Sequence, residues 1–289
     1  MTVTVHEAIG SFRAALAPFG GRVGFVPTMG FLHAGHRSLM DAARADARNE
    51  VVAASIFVNP LQFAPTEDLA AYPRDLERDL EVCAAAGVDH VLQPSVEEMY
   101  PAGVPTLTTV TVDKVSAPME GVSRPTHFAG VATVVAKLFA IVGPCRAYFG
   151  EKDWQQLAVV SRMSADLSFP VEVVGCPIVR EHDGLALSSR NIYLSAEERA
   201  AAPALHRALL AGAASIEAGE RDPAVVRAAM QAVLAPVPEA DVDYLEVVDA
   251  STLQAVDPLR GEVRLLGAVR FGPARLIDNT GVTVPASTH

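Results

Sequence analysis

Residues 23–40 read as a strand, a glycine-bearing turn and a helix in direct succession. Val23, Phe25 and Val26 form a short apolar run, and Leu39, Met40, Ala43 and Ala47 then recur at helical spacing. Between them lie Met29, Gly30, Phe31, Leu32, His33, Ala34, Gly35 and His36. This is the opening half of a strand–helix–strand unit. A second run, Val51 to Val58, is apolar without alternation, which predicts a strand covered on both faces and therefore a parallel sheet. Asp75 to Ala86 reads as a helix stopped by Gly87, and Val88 to Leu92 supplies a third strand. The fold class expected is α/β, a Rossmann-like parallel sheet, whose ligands belong at the carboxyl ends of the strands.

The rest of the chain extends this pattern and then departs from it. Residues 1–20 predict a short helix closed by Pro18 and Gly20-Gly21, and a proline-punctuated loop runs from Asn59 to Tyr72-Pro73. Thr106 to Val112 is β-prone, and Thr126 stands where it would cap an apolar helix reaching Val142. Arg146 to Phe149 is a strand ending in Gly150, Glu151, Lys152 and Asp153, and Val171–Val174 with Ile178-Val179 continue the sheet. From Ser195 helices come first and strands after. Ser195 and Glu198 make a capping box for a long alanine-rich helix, Asp222-Pro223 opens another, and three β-prone runs follow. The expected division is residues 1–183, a Rossmann-like domain carrying the ligand-binding strand ends, and residues 184–289, a smaller α+β lid domain.

Charge and composition exclude several classes. The 289-residue chain carries a net charge of −11, against a broad basic face for nucleic acid. No apolar run is long enough for a bilayer and the N-terminus is not a secretory signal, so the expected location is cytoplasmic. Cys83, Cys145 and Cys176 form neither a disulfide framework nor a zinc motif.

The turn at Met29–His36 carries the chemistry. A helix start offers backbone amides and the positive end of the helix dipole, suited to phosphate, and His33 and His36 at a spacing of three share one side. A metal pair or two polar residues at a helix start are the competing readings. Lys152 at a strand end, and Ser188, Ser189 and Arg190 beside the domain boundary, are further phosphate candidates. Asp79 reads first as a solvated helix-face carboxylate, with a ligand for a divalent cation as the competing reading.

Five segments in order resemble the pantothenate synthetase family: Pro27-Thr28-Met29-Gly30 through His36, Phe57-Val58-Asn59-Pro60 through Phe63, Arg124-Pro125-Thr126-His127-Phe128 with Gly130, Phe149-Gly150-Glu151-Lys152-Asp153, and Ser188-Ser189-Arg190-Asn191. The pattern at 33–36 alone is shared by a wide nucleotidyltransferase superfamily that includes class I aminoacyl-tRNA synthetases; five in order are specific. The resemblance implies ATP-dependent condensation of pantoate with β-alanine through a pantoyl-adenylate, with Mg²⁺, in a homodimer. It implies ATP binding by Met29–His36, Gly150–Asp153, Val179 and Leu187–Arg190, with His36 as proton donor. It implies pantoate binding by Gln62 and Gln156, beside Asn59, with Gln62 also near β-alanine. Lys152, Arg190, His33 and His36 are the local cations and donors that the chemistry needs. Leu187 and Trp154 depart from the family's usual methionine and its usual other aromatic. A nucleotidyltransferase of the same superfamily and a non-catalytic nucleotide sensor are the alternatives.

Overall fold

The apolar runs at 23–28 and 51–56 pair as neighbouring parallel strands, Val23 opposite Val51 and Thr28 opposite Ile56. They are β2 (Val23–Thr28) and β3 (Val51–Ile56) of a six-stranded sheet in a computed structural model that describes residues 3–63, 69 and 72–285. The sheet also contains β1 (Thr4–His6), β4 (His90–Leu92), β5 (Cys145–Gly150) and β6 (Val171–Cys176), in the order β1-β4-β3-β2-β5-β6. Every pairing is parallel. From β2 the chain builds outward through β3 and β4 on one side and through β5 and β6 on the other. The strand order therefore reverses between β2 and β5, where an open α/β sheet has its ligand crevice.

The described chain packs as two compact units. The first comprises residues up to Glu151 and Gln155–Pro177; the second comprises Lys152–Trp154 and the residues from Ile178 onward. In the first unit the helix Ala34–Ala45 buries Leu39, Met40 and Ala43 against Val52, Ala54 and Val91. The second unit is an antiparallel sheet of β7 (Ala240–Asp249), β8 (Glu262–Phe271) and β9 (Ala274–Thr283), in that order. Leu205 and Leu209 of the helix Ala204–Glu217 and Met230 of the helix Pro223–Leu234 share a core with Leu265 and Phe271.

Several local expectations are corrected. Thr4–His6 is a strand, missed because three residues at a sheet edge leave no periodicity to read. Thr106–Val112 forms no strand; the segment is mostly exposed, and Val110 N–H donates to Thr133 Oγ1 rather than to a sheet partner. Thr126 stands at the N-cap of the helix His127–Val142 but its side chain makes no cap bond, because its backbone is already helical. Ile178-Val179 lie beyond the last strand of the sheet. The alanine-rich helix is two helices, Ala196–Ala201 and Ala204–Glu217, with Pro203 between them, where a residue without N–H cannot continue the ladder. Much of the proline-punctuated loop expected after Phe63, residues 64–68, 70 and 71, lies outside the described residues. No helix among the described residues is long and apolar enough to cross a membrane.

Candidate active site

In the first unit, β2 delivers its chain to a turn with two successive left-handed residues, Gly30 at φ 83° and Phe31 at φ 51°. A side chain at Gly30 would meet Asp79 Oδ2 at 2.9 Å and Ile56 at 3.1 Å, so glycine is required twice over. The amides of this turn, expected to await phosphate, are largely taken up within the protein. Gly30 N–H donates to Thr28 Oγ1, Phe31 N–H to Asp79 Oδ2 and Leu32 N–H to Asp79 Oδ1. Asp79 is 1% exposed, so it is no solvated helix residue; its carboxylate clasps the turn.

The two histidines cap the helix that follows. His33 Nδ1 accepts from Gly35 N–H at 3.1 Å, and His36 Nδ1 accepts from His33 N–H at 3.3 Å, a reciprocal capping box. Their rings lie 4.1 Å apart between centroids, on one side as the spacing predicted. A ring nitrogen that accepts an amide N–H carries no proton, so in this geometry each neutral ring bears its proton on Nε2. The two backbone contacts thus fix the orientation of both rings.

The carboxyl end of β3 leads into a turn built around Asn59, which is fully buried. Its Nδ2 donates to Gln62 Oε1 at 2.9 Å and to the Gly130 carbonyl at 3.1 Å, while its Oδ1 accepts from Tyr100 O–H at 2.8 Å and Leu61 N–H at 3.3 Å. That uses the two donors and two lone pairs of the amide. Burial pushes the Tyr100 phenol upward, which keeps it a donor. Asn59 thus holds Gln62 rather than reaching outward itself. Gly130 lets this happen: a Cβ there would lie 2.2 Å from the Leu61 carbonyl oxygen and 2.8 Å from Gln62 N. His127 closes the other side, its Nδ1 3.2 Å from the Gln62 carbonyl.

Gln156 is half-buried at the start of the helix that follows β5. Its neighbour Gln155 was not foreseen. It is 3% exposed, and it fastens the segment 115–120 by donating to the carbonyls of Val115 and Pro118 and accepting from Glu120 N–H.

In the second unit Lys152, Ser188 and Arg190 line one depression together with His206, Arg275 and Asp278. Lys152 Nζ lies 3.6 Å from Asp153 Oδ1, and Ser188 Oγ caps the turn Ser189–Tyr193 by accepting from Arg190 N–H. Val179 and Leu187 are joined directly, Leu187 N–H donating to the Val179 carbonyl across a hairpin whose turn residue Gly184 has φ 93°. Arg275, missed in the sequence, adds a cation to the depression while pairing with Asp243 at 2.7 Å.

For magnesium the donor set is sparse. No group of three His, Cys, Asp or Glu side chains that could hold a metal occurs among the described residues. This suits an ion carried mainly by phosphate oxygens and water with at most one protein carboxylate, as is usual for Mg²⁺.

Comparison with known proteins supplies the context. The family model for pantoate-beta-alanine ligase matches residues 3–281. A pantothenate synthetase of Moorella thermoacetica is 54% identical over 277 residues, covering 96% of both chains. The crystal structure of pantothenate synthetase from Thermus thermophilus superposes with a TM-score of 0.90 at 53% identity, covering 97% of this chain and 100% of that one. A pantoate-beta-alanine ligase from Francisella tularensis, complexed with beta-gamma ATP and beta-alanine, superposes with a TM-score of 0.77 at 32% identity, covering 96% of this chain and 97% of that one.

Proposed function

The chain belongs to the pantoate-beta-alanine ligase family, and on that premise we propose that it joins pantoate to β-alanine at the expense of ATP through an acyl-adenylate. A carboxylate oxygen of pantoate attacks the α-phosphorus of ATP, the bond to the bridging oxygen breaks, and pyrophosphate leaves. The amine of β-alanine then attacks the pantoyl carbonyl carbon, AMP departs with the former carboxylate oxygen, and the amine proton is lost. The observation that carries this reading is the likeness, over nearly the whole chain, to a ligase held in complex with an ATP compound and β-alanine.

Charge is the obstacle in the first step. Two unit charges about 4 Å apart repel by about 4 kcal/mol at an effective dielectric near 20. We assign ATP binding to Met29–His36, Gly150–Asp153, Val179 and Leu187–Arg190. Within that set Lys152 and Arg190 supply positive charge, and His33 and His36 supply imidazole donors, with His36 as proton donor. Magnesium, when bound with the triphosphate, neutralises part of its charge; Asp79 is the carboxylate nearest the turn's backbone that could join it, each oxygen keeping a second lone pair beyond the amide it accepts.

Gln62 and Gln156 hold pantoate. A neutral amide binds a carboxylate without drawing off the charge that makes it nucleophilic, as an arginine fork would. The Asn59 contact fixes which way the Gln62 amide points, its oxygen inward and its NH₂ away from Asn59. The reading extends to a homodimer working in the cytoplasm, checked by sedimentation and by fractionation.

The deciding experiment is isotope exchange of pyrophosphate into ATP with pantoate present and β-alanine omitted. Exchange that depends on pantoate is the expected result. Amide formation with no such exchange, at any pantoate concentration, would rule out the adenylate.

A further inference from the structure

Asp278 and Asn279 are adjacent on β9, 4% and 2% exposed. Consecutive strand residues face opposite sides of a sheet, and buried polar groups persist only when bonded, so this pair needs partners on both faces. Asn279 Nδ2 donates to the Lys152 carbonyl at 2.9 Å, and its Oδ1 accepts from Arg264 Nε at 2.7 Å. The Arg264 guanidinium lies over the Trp154 indole, its carbon 3.5 Å from the ring centroid. Opposite Arg264 in the ladder stands Gly281, where a Cβ would come within 2.9 Å of the guanidinium. Trp154 Nε1 in turn donates to the Ala250 carbonyl at 3.0 Å, a bond that a phenyl ring could not make.

Three anchors from one small sheet therefore hold the tripeptide Lys152–Trp154. This is why these residues pack with the second unit although Glu151 before them and Gln155 after them do not. The neighbouring Asp278 performs the same office for the other candidate segment. Arg180 donates to it twice, at 2.6 and 2.9 Å, and also to the Gly184 carbonyl, at the turn of the hairpin that leads to Ser188 and Arg190.

We propose that Asn279, with Arg264 and Trp154, is the positioning set for Lys152: it fixes the main chain from which the ammonium reaches the nucleotide phosphates, and so tunes the adenylation step without touching substrate. The proposal rests on Lys152 binding phosphate, as assigned above. Asn279→Asp is the probe, since it keeps the shape and the acceptor for Arg264 but turns the donor facing the Lys152 carbonyl into a second acceptor. A displacement of about 1 Å of a positioned group costs on the order of 10²-fold in rate.

The test is a double-mutant cycle read by pantoate-dependent exchange of pyrophosphate into ATP, with KM measured separately for ATP and for pantoate. Asn279→Asp lowers turnover by about 10- to 100-fold and raises KM for ATP, while KM for pantoate stays within about two-fold. In a Lys152→Ala background the same substitution produces no further loss, because the group it positions is gone. Equal losses in both backgrounds, or a rise in KM for pantoate matching that for ATP, would overturn the proposal. So would wild-type turnover in Asn279→Asp beside a crippled Lys152→Ala. Wild-type turnover in Lys152→Ala alone would instead remove the assignment of Lys152 on which the proposal stands. If Asn279→Asp does not fold, Trp154→Phe replaces it; it keeps a ring for Arg264 but loses the bond to Ala250. A loss of about 3- to 10-fold, again absent in the Lys152→Ala background, is the supporting outcome, and a loss present in both is the opposing one.

Discussion

Asp79 holds Phe31 by its amide: Oδ2 accepts Phe31 N–H at 2.8 Å while Oδ1 takes Leu32 N–H at 2.7 Å. The residues so held include a phenylalanine at φ 51°, a conformation that side chains adopt at a cost. A buried carboxylate bonded to two adjacent amides offsets that cost and stops the turn from relaxing. Asp79→Asn keeps the volume but sets an NH₂ group against one of the amides. The expected loss of stability is about 1–3 kcal/mol, seen as a lower urea midpoint at unchanged slope, because one buried donor is left unsatisfied. KM for ATP rises with it, since the turn precedes both histidines. An unchanged midpoint would show that the clasp is dispensable.

Gly130 separates packing from chemistry in the same way at the turn that carries Gln62. Its missing Cβ is the space occupied by the backbone of Leu61 and Gln62, at 2.2 and 2.8 Å, and backbone does not step aside as a flexible side chain would. Gly130→Ala forces the Asn59–Gln62 turn outward. Overpacking of this kind costs about 1–3 kcal/mol of stability. The expected functional signature is a KM for pantoate raised at least about 10-fold with KM for ATP much less affected, because the hydrogen bonds proposed for Gln62 go to pantoate and not to the nucleotide. Steady-state kinetics with each substrate varied in turn decides the matter, and equal changes in both would contradict the assignment of Gln62.

What the sequence made legible follows the range of the interactions concerned. The runs at 23–28 and 51–56, the Ser195 and Glu198 box and the Asp222-Pro223 helix start are local signals, and each is found in place. The reading of Thr106–Val112 failed because β-propensity describes fit to a sheet surface, and among the described residues no strand pairs with this segment to supply one. The clasp of Asp79 on Phe31 spans 48 positions and the bond from Asn279 to Lys152 spans 127. No periodicity reports such pairs. Asp79 on a polar helix start and Asn279 just past a β-prone run look like ordinary surface residues until their burial is known. Likewise, a lysine at the end of β5 reads as part of the first domain, whereas side chains from β8 and β9 bind its tripeptide to the second unit.

The cap that His33 makes and the phosphate contact proposed for it are separable by substitution. Asparagine is among the best N-cap residues and can accept the Gly35 N–H that His33 Nδ1 now accepts, but it has no Nε2–H to offer outward. His33→Asn is therefore expected to melt with the wild type while losing turnover. His33→Ala loses the cap as well and costs about 0.5–2 kcal/mol of stability in addition. Thermal denaturation beside turnover for the two variants makes the comparison; an asparagine variant with full activity would leave His33 only its structural task.

The stability of the second unit is expected to depend on pH through His206. Burial lowers its pKa from the ordinary value of 6.5, and the Arg180 guanidinium lowers it further. Asp278, 3.7 Å from Nδ1, opposes both, but its carboxylate is already engaged by the two-pronged Arg180 contact, so burial and the guanidinium prevail. A base whose folded pKa lies below its unfolded one contributes stability that is complete above the unfolded pKa. That contribution is lost as pH falls from there towards the folded value, because the unfolded chain then binds the extra proton. Between about pH 7.5 and about pH 5.5 the melting temperature of the wild type should consequently fall further than that of His206→Gln, which has no proton to take up. Parallel falls in the two proteins would mean that His206 titrates alike in the folded and unfolded chains.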